Sequence, residues 1–343
     1  MKRKTVLAGD IGGTHARLAT VEWTEEGRPR IVARREYVSA EIEGLEPIVR
    51  DFLGRLDGAP PTHACLAVPC PIVGDACRPA NLPWSIRIAG FDRAIGIPGA
   101  RLINDFDAVG HAIRHLAPDD VAPIRDGEPD PDAPVAVLGA GTGLGVVFVL
   151  PEPDRTVRVV PSEGGHVGFA ARGALEHELG AFLAGRRRAE SDGHVSYERV
   201  LSGDGLCDVY RFLIDSGREP ERSDTRVAME TRDPAAVISE RALAGTDVAC
   251  ERALDIFVSV YGTLAGDLAL LVQARGGVYL GGGIAPRILP ALRAGGFERA
   301  FLAKGRFRRF IAPIPVWAIT NPDAGILGAA AVAAGSIAAR RVG

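Results

Sequence analysis

Two short segments combine side chains that can hold or move a proton. In Arg101-Leu102-Ile103-Asn104-Asp105-Phe106, an apolar run ends in an amide and a carboxylate, and a helical pattern follows through Ala108 and Ile113. A strand ending this way delivers its polar heads to the rim of a sheet, where sites in α/β proteins gather. The competing structural reading makes Asp105 the N-cap of the helix. In Pro161-Ser162-Glu163-Gly164-Gly165-His166-Val167-Gly168-Phe169, two glycines separate a carboxylate from an imidazole. Glu163 alone would read as a solvated turn residue, but the pairing across a flexible spacer favours a site. Cys65 to Asp75 reads as a buried strand ending in a proline-stiffened loop that shapes its surroundings.

Two glycine-threonine turns offer the complementary chemistry. The first is Gly9-Asp10-Ile11-Gly12-Gly13-Thr14 and the second Gly139-Ala140-Gly141-Thr142-Gly143-Leu144-Gly145, each between apolar runs. β-Branched residues and leucines lead in and out as strands, and the glycines are expected to turn the backbone through φ > 0. Such turns aim several N–H groups at one point, which suits an anion such as phosphate. Two of them suggest a duplicated unit gripping two parts of one polyphosphate. A Walker loop requires a lysine just past its glycines, yet lysine occurs only at Lys2, Lys4 and Lys304. The same lack removes a protein-kinase strand lysine. A Rossmann turn must open a helix, whereas Val146 to Leu150 continues as a strand.

The elements that must position these residues alternate. Strands are predicted at 4–9, 16–22, 30–38, 64–68 and 101–103, with an amphipathic helix at 44–57 from the spacing of Leu45, Ile48, Val49, Phe52, Leu53 and Leu56. Residues 117–134, rich in proline and acid, read as a surface connection. A strand at 157–160, helices around Leu175–Leu183 and Leu206–Leu213, and a long helix at 246–274 follow. The pattern closes with strand 278–280, the turn Gly281-Gly282-Gly283, strand 314–319 and an alanine-rich helix from about 324. Alternating strands and helices argue α/β. The 343 residues, 47% hydrophobic, suffice for two cores, expected as a small lobe of 1–116 plus 323–343 and a large lobe of 117–322.

Composition excludes several classes. A net charge of -3 gives no general attraction for nucleic acid or an anionic membrane. The densest basic run, Arg186-Arg187-Arg188, reads as a solvated helix end. Five cysteines, Cys65, Cys70, Cys77, Cys207 and Cys250, are odd in number and form no Cys-x-x-Cys, so neither a disulfide framework nor a zinc knuckle is expected. Met1-Lys2-Arg3-Lys4 leads directly into a strand rather than a signal peptide. The uncharged run from Ala133 to Leu150 approaches the ~20 residues of a membrane span, but its glycines and Thr142 divide it into two strands. A soluble, cytoplasmic protein is expected.

Asp10-Ile-Gly-Gly-Thr14, Asn104-Asp105-Phe106, Gly139-Ala-Gly-Thr-Gly-Leu-Gly145, Glu163-Gly-Gly-His166, His194-Val-Ser-Tyr-Glu198-Arg-Val-Leu-Ser-Gly203 and Gly281-Gly-Gly-Ile-Ala-Pro-Arg287 together resemble the bacterial ATP-dependent glucokinases. That family lies in the sugar kinase, Hsp70 and actin superfamily, and the resemblance runs from about residue 5 to 335. It implies a duplicated ribonuclease-H-like fold of two lobes with an interlobe cleft, binding ATP, Mg²⁺ and glucose. Asp105 would be the base taking the 6-hydroxyl proton, with Asn104, Gly143, Glu163, His166 and Glu198 around the sugar. Asp10 would face Mg²⁺ through water, Gly12, Gly13, Thr14, Gly141 and Thr142 the phosphates, and Gly281, Gly282 and Gly283 the adenosine. A homodimer is implied by the resemblance alone. The Cys-x-Cys-x4-Cys pattern of the zinc-containing branch is missing, so no zinc is expected, and His15 stands where many members carry Asn. Two alternatives remain. One is a kinase for mannose, fructose or N-acetylglucosamine; the other is a sugar-sensing regulator without catalysis, against which Asp105 and both turns count.

Overall fold

The computed structural model describes residues 5–24, 27–57, 59–79, 82, 84–154, 156–186 and 192–339. The N-terminal basic residues and most of the Arg186–Arg188 run lie outside them. The chain divides into two compact units, one comprising residues up to Asp119 together with those from Asn321, the other Asp120–Thr320.

The first unit is built on strands β1 (Thr5–Ile11), β2 (His15–Trp23), β3 (Pro29–Val38), β4 (Ala64–Val68) and β5 (Arg101–Asn104), ordered β3-β2-β1-β4-β5. β1, β2 and β3 form an antiparallel meander, while β1, β4 and β5 run parallel. Period-two alternation gives β1 two apolar faces. Leu7 and Ile11 share a core with Leu18, Leu66 and the Leu45, Ile48 and Phe52 face of helix Leu45–Gly54. Val6 and Ala8 meet Ala108 and the Ile326, Ala329, Ala330 and Ala333 face of helix Ala324–Ala339. A strand covered on both sides reads as a continuous apolar run, which is why Asp10 stands out within it. The last helix approaches helix Asp105–Ala112 so closely that a Cβ on Gly328 would fall 1.7 Å from the Ala108 carbonyl oxygen.

The second unit repeats the plan with β6 (Val121–Arg125), β7 (Val135–Ala140), β8 (Leu144–Pro151), β9 (Val157–Ser162), β10 (Gly277–Gly281) and β11 (Val316–Ile319), ordered β9-β8-β7-β10-β11-β6. Again a meander, β7-β8-β9, precedes two strands parallel to its first member. Duplication is therefore visible in topology. Ala136, Leu138, Ala140 and Val146 join the core formed with helix Val248–Leu271, whose fully buried Tyr261 accepts a hydrogen bond from Ala140 N at 3.2 Å. That helix is long and apolar enough to cross a membrane, but 72% of its most apolar window is buried in this core.

Three expectations change. Residues 121–125 are not connection but the edge strand β6, antiparallel to β11 with a register shift at Val316/Trp317. An edge position tolerates Pro123, whose missing N–H would break an interior ladder. Cys70 is disulfide-bonded, whereas Cys65, Cys207 and Cys250 are free; an odd cysteine count rules out complete pairing, not a single bridge. Helices Ser223–Thr231 and Pro234–Leu243, absent from the sequence reading, also precede the long helix.

Candidate active site

The predicted residues fall into two sets, one in each unit. In the first unit, Asp10 lies near the end of β1 and Asp105 just past the end of the parallel β5, so both sit at the rim where strand C-termini emerge. Asn104, not Asp105, is the N-cap: its side-chain oxygen accepts from Phe106 N at 2.9 Å. Its amide donates to the Cys70 carbonyl at 3.4 Å, which ties this rim to the loop after β4. Relieved of capping by its neighbour, Asp105 begins the helix, although Oδ1 also accepts from Phe106 N at 2.8 Å.

Burial is the main reason the Asp105 carboxyl is pushed up to about 6, with the nearby Asp10 charge adding to it and the Phe106 N–H working against it. Desolvation penalises the charged form and a like charge compounds it. Asp10 is raised too, chiefly by burial, with Arg17 opposing the shift and Asp323 adding to it. Arg17 lies opposite Asp10 in the β1–β2 register, with its guanidinium 3.9 Å away. It also donates to the Pro322 carbonyl at 2.8 Å, while Arg34 pairs with Asp323 at 2.9 Å. Sequence reasoning missed Arg17, Arg34 and Asp323. Their only signal is hairpin register and the return of the chain's last helix, which a linear reading does not show.

The β1–β2 turn is held from behind. Gly12 N donates to His15 O at 2.8 Å, and buried Ser39 binds both ends of the turn, donating from N to Thr14 O at 2.9 Å and from Oγ to Gly12 O at 2.7 Å. Gly13 and Thr14 remain exposed. His15, which follows them, turns its ring toward Glu36 at 3.5 Å.

In the second unit, Glu163, His166 and Glu198 gather beside the β7–β8 turn. Glu163 immediately precedes a 3-10 turn, Gly164–His166, without a side-chain capping bond to it, and Glu198 sits in another, Tyr197–Arg199. His166 Nε2 lies 3.9 Å from Glu163 Oε2, and Nδ1 lies 4.0 Å from Glu198 Oε1. Both separations exceed a hydrogen bond, so the heads converge without being consumed by one another. Glu198 Oε2 is fixed by Leu144 N at 2.9 Å. The two 3-10 turns are stitched together by Tyr197 N donating to Val167 O at 3.1 Å and by the His194 ring on His166 O at 2.8 Å.

Gly141 and Thr142 form the tip of the turn, closed by Gly141 N on Gly143 O at 2.8 Å, with Gly203 N on Gly141 O at 2.9 Å. Gly281 pairs with Gly139 in the parallel β7–β10 register, which places the turn through Gly282 and Gly283 alongside it.

The expected φ > 0 does not hold for the paired turns: Gly12, Gly13, Gly139, Gly141, Gly143 and Gly145 all lack it. Space decides at Gly143 and at nearby Gly165, whereas a Cβ on Gly141 would meet nothing within 4 Å. A Cβ on Gly143 would lie 2.6 Å from Glu198 Oε2, and one on Gly165 would lie 1.9 Å from Leu144 O. Gly282 alone in this set is left-handed, at φ 77°, and its Cβ would also lie 2.4 Å from Ala140 O.

Two sets of polar groups at the same rim of two like-folded sheets match the resemblance drawn from the motifs. The glucokinase family model covers residues 7–336. The chain belongs to the glucokinase family. A glucokinase of Yersinia pestis (strain Pestoides F) is 41% identical over 326 residues, 95% of each protein. Among solved structures, glucokinase from an Antarctic psychrotroph aligns with a TM-score of 0.83 at 30% identity, over 97% of this chain and 99% of that one. A ROK family glucokinase from Streptomyces griseus, solved with glucose and AMPPNP, aligns with a TM-score of 0.63 at 20% identity, over 96% and 99%. The duplicated α/β architecture is that of the actin-like ATPases.

Proposed function

We infer that the chain is an ATP:glucose 6-phosphotransferase. The observation that carries the mechanism is Asp105, a carboxylate at a helix start whose pKa of about 6 makes it a competent proton acceptor near neutrality. As the sugar 6-oxygen attacks the γ-phosphorus, its proton passes to Asp105 while the bond from that phosphorus to the β-phosphate oxygen breaks. Phosphoryl transfer requires little covalent help, so positioning and charge stabilisation supply most of the rate.

Glu163, His166, Glu198 and Asn104 hold the remaining hydroxyls. The open ~4 Å gaps around the imidazole leave acceptors and donors free for a pyranose. A hydroxyl of the wrong configuration would leave one of these groups unpaired, which is how stereochemistry is read. Gly143 keeps the backbone thin enough for Glu198 to sit against the turn. Gly12, Gly13, Thr14, Gly141 and Thr142 serve the phosphates, and Gly281, Gly282 and Gly283 the adenosine.

The first unit's rim suits Mg²⁺. Asp10 and Asp105 are oxygen ligands whose ionisation burial makes costly, with Asp10 adding to the cost at Asp105, and a cation would relieve that cost. Asp10 would hold the ion through water, and the ion would neutralise charge on the phosphates. Among the described residues, no group of three or more His, Cys, Asp or Glu is arranged to hold a metal. The same reading takes the enzyme as a homodimer in the cytoplasm, acting at the first step of glycolysis, with neither nucleic acid nor membrane as partner.

A coupled assay across glucose, mannose, fructose and N-acetylglucosamine, with ATP, ADP or polyphosphate as donor, tests the assignment. Glucose with ATP is expected to give the highest kcat/KM. A higher value for any other pair overturns it.

A further inference from the structure

The second unit contains a cavity of about 530 Å³ bounded by the start of helix Gly173–Arg186, by helix Val248–Leu271 and by helix Gly296–Leu302. None of the residues assigned above to sugar or nucleotide lines it. Its size falls within the roughly 300–1,000 Å³ of small-molecule sites. Its polar lining is Arg172, Glu176, Asp255, Ser259 and Arg299. The Arg299 guanidinium and the Asp255 carboxylate have no side-chain partner among the described residues. Glu176 accepts from Arg172 N at 2.6 Å, and burial raises its carboxyl above the usual range.

This lining mixes groups that only donate with groups that only accept. An apolar ligand would strip water from two guanidiniums and two carboxylates without replacing it. A bare anion would satisfy the arginines but meet Glu176 and Asp255 as like charges. An anion that also carries hydroxyls satisfies both: its charged end accepts from Arg172 and Arg299, and its hydroxyls donate to the carboxylates.

A chain of contacts leads from this cavity toward Glu198. Arg172 donates to Thr263 Oγ1 at 2.8 Å, and the Thr263 carbonyl accepts from Lys304 Nζ at 2.8 Å. Lys304 pairs with Asp267, which accepts from the Tyr197 hydroxyl at 3.5 Å, and Tyr197 immediately precedes Glu198. Lys304 is almost fully buried and is the one lysine among the described residues.

We propose that this cavity is a regulatory site for a small polyhydroxylated anion, a sugar phosphate or a sugar acid, whose capture of Arg172 is transmitted through Thr263, Lys304, Asp267 and Tyr197 to the sugar-holding turn. The binding half stands on the cavity alone. The transmitted half rests on the assignment of Glu198 to glucose.

The test is calorimetry on the full chain saturated with glucose, using 6-phosphogluconate, gluconate and inorganic phosphate as probes, on wild type and Arg299→Gln. A polyhydroxylated anion is expected to bind one site per chain and to weaken about tenfold in Arg299→Gln, the loss of one charge-assisted pair. The unliganded variant keeps the wild-type kcat and glucose KM. Tighter binding of 6-phosphogluconate than of gluconate identifies a phosphate ligand, and the reverse a sugar acid. Absence of binding by both sugar anions, binding unaffected by Arg299→Gln, or inorganic phosphate binding equally well overturns the site. In kinetics, the bound probe is expected to shift the glucose KM in wild type but not in Tyr197→Phe, which cuts the chain and leaves the cavity lining intact. A probe that binds without moving KM overturns the transmission. Because calorimetry needs no turnover, failure of the glucose assignment is distinguishable from failure of the cavity.

Discussion

The two sheets share a topology but end their first strands differently. In the first unit, β1 closes on Asp10-Ile11 and the turn that follows is exposed, with Arg17 across from the carboxylate. In the second, β7 closes on Gly139-Ala140, with Leu144 opposite Ala140, and a carboxylate arrives from elsewhere: Glu198 docks on Leu144 N. One unit thus buries charge at its own strand ends, where desolvation raises the Asp105 carboxyl to about 6. The other keeps its strand ends neutral and borrows polar heads from the loops after β9. On the proposed assignment, one scaffold, repeated, would carry proton transfer in one copy and most of the hydroxyl recognition in the other.

The sharpest way to break that division is Asp105→Asn. Loss of a positioned general base is expected to lower kcat by roughly 10³-fold, with glucose binding by calorimetry nearly unchanged. Near-normal turnover would remove proton transfer from the first unit. For the second unit, Gly143→Ala should push Glu198 off Leu144 N, because the added Cβ would lie 2.6 Å from its oxygen. Losing that charge-assisted contact is expected to raise the glucose KM by about tenfold, while kcat falls less. Equal losses in kcat and kcat/KM would instead place Glu198 in the transition state rather than in sugar binding.

The pH dependence sharpens the electrostatic half. Asp105 must be ionised to accept a proton, so kcat/KM is expected to fall as pH drops through about 6. Burial is the larger cause and Asp10 the second, so Asp10→Asn should move that limb to lower pH without returning it to the ordinary carboxylate range. A limb that does not move would show that the two aspartates are uncoupled.

The smallest effect is on stability. Because the folded pKa of Asp105 lies above its unfolded value, the fold binds this proton more tightly, and the stability it lends at low pH is lost as pH rises through about 6. Asp105→Asn is therefore expected to stabilise the fold above pH 6, by up to about 3 kcal/mol, read as a higher thermal midpoint. The gain should vanish as pH approaches 3.8, the ordinary aspartate value. A destabilised variant at pH 8 would contradict the burial argument.

Much of this was legible in the chain. The apolar runs predicted strands at 4–9, 64–68 and 101–103; the structure keeps the second as it stands and carries the first to Ile11 and the third to Asn104, because a strand covered on both faces leaves a continuous hydrophobic signature. Less legible was β6, where Pro123 and its acidic neighbours resemble a loop and only the lone partner β11 makes a strand of them. The N-cap also moved by one residue, from Asp105 to Asn104, since both side chains can accept the Phe106 N–H and local sequence does not rank them.

Residue types and spacing alone determined the glycine turns, the Asn104-Asp105 strand end, the Glu163–His166 pair and membership in a kinase family, because these are local patterns fixed by backbone periodicity and side-chain chemistry. Only the tertiary structure decided why positions 143 and 165 require glycine. The glycines do not supply left-handed φ in the paired turns; Gly143 and Gly165 admit a carboxylate oxygen and a carbonyl that arrive from distant parts of the chain. It likewise decided that Asp105 retains its proton to about pH 6 and that Arg17 stands over Asp10, since burial and through-space charge depend on which segments meet, and no linear spacing encodes that.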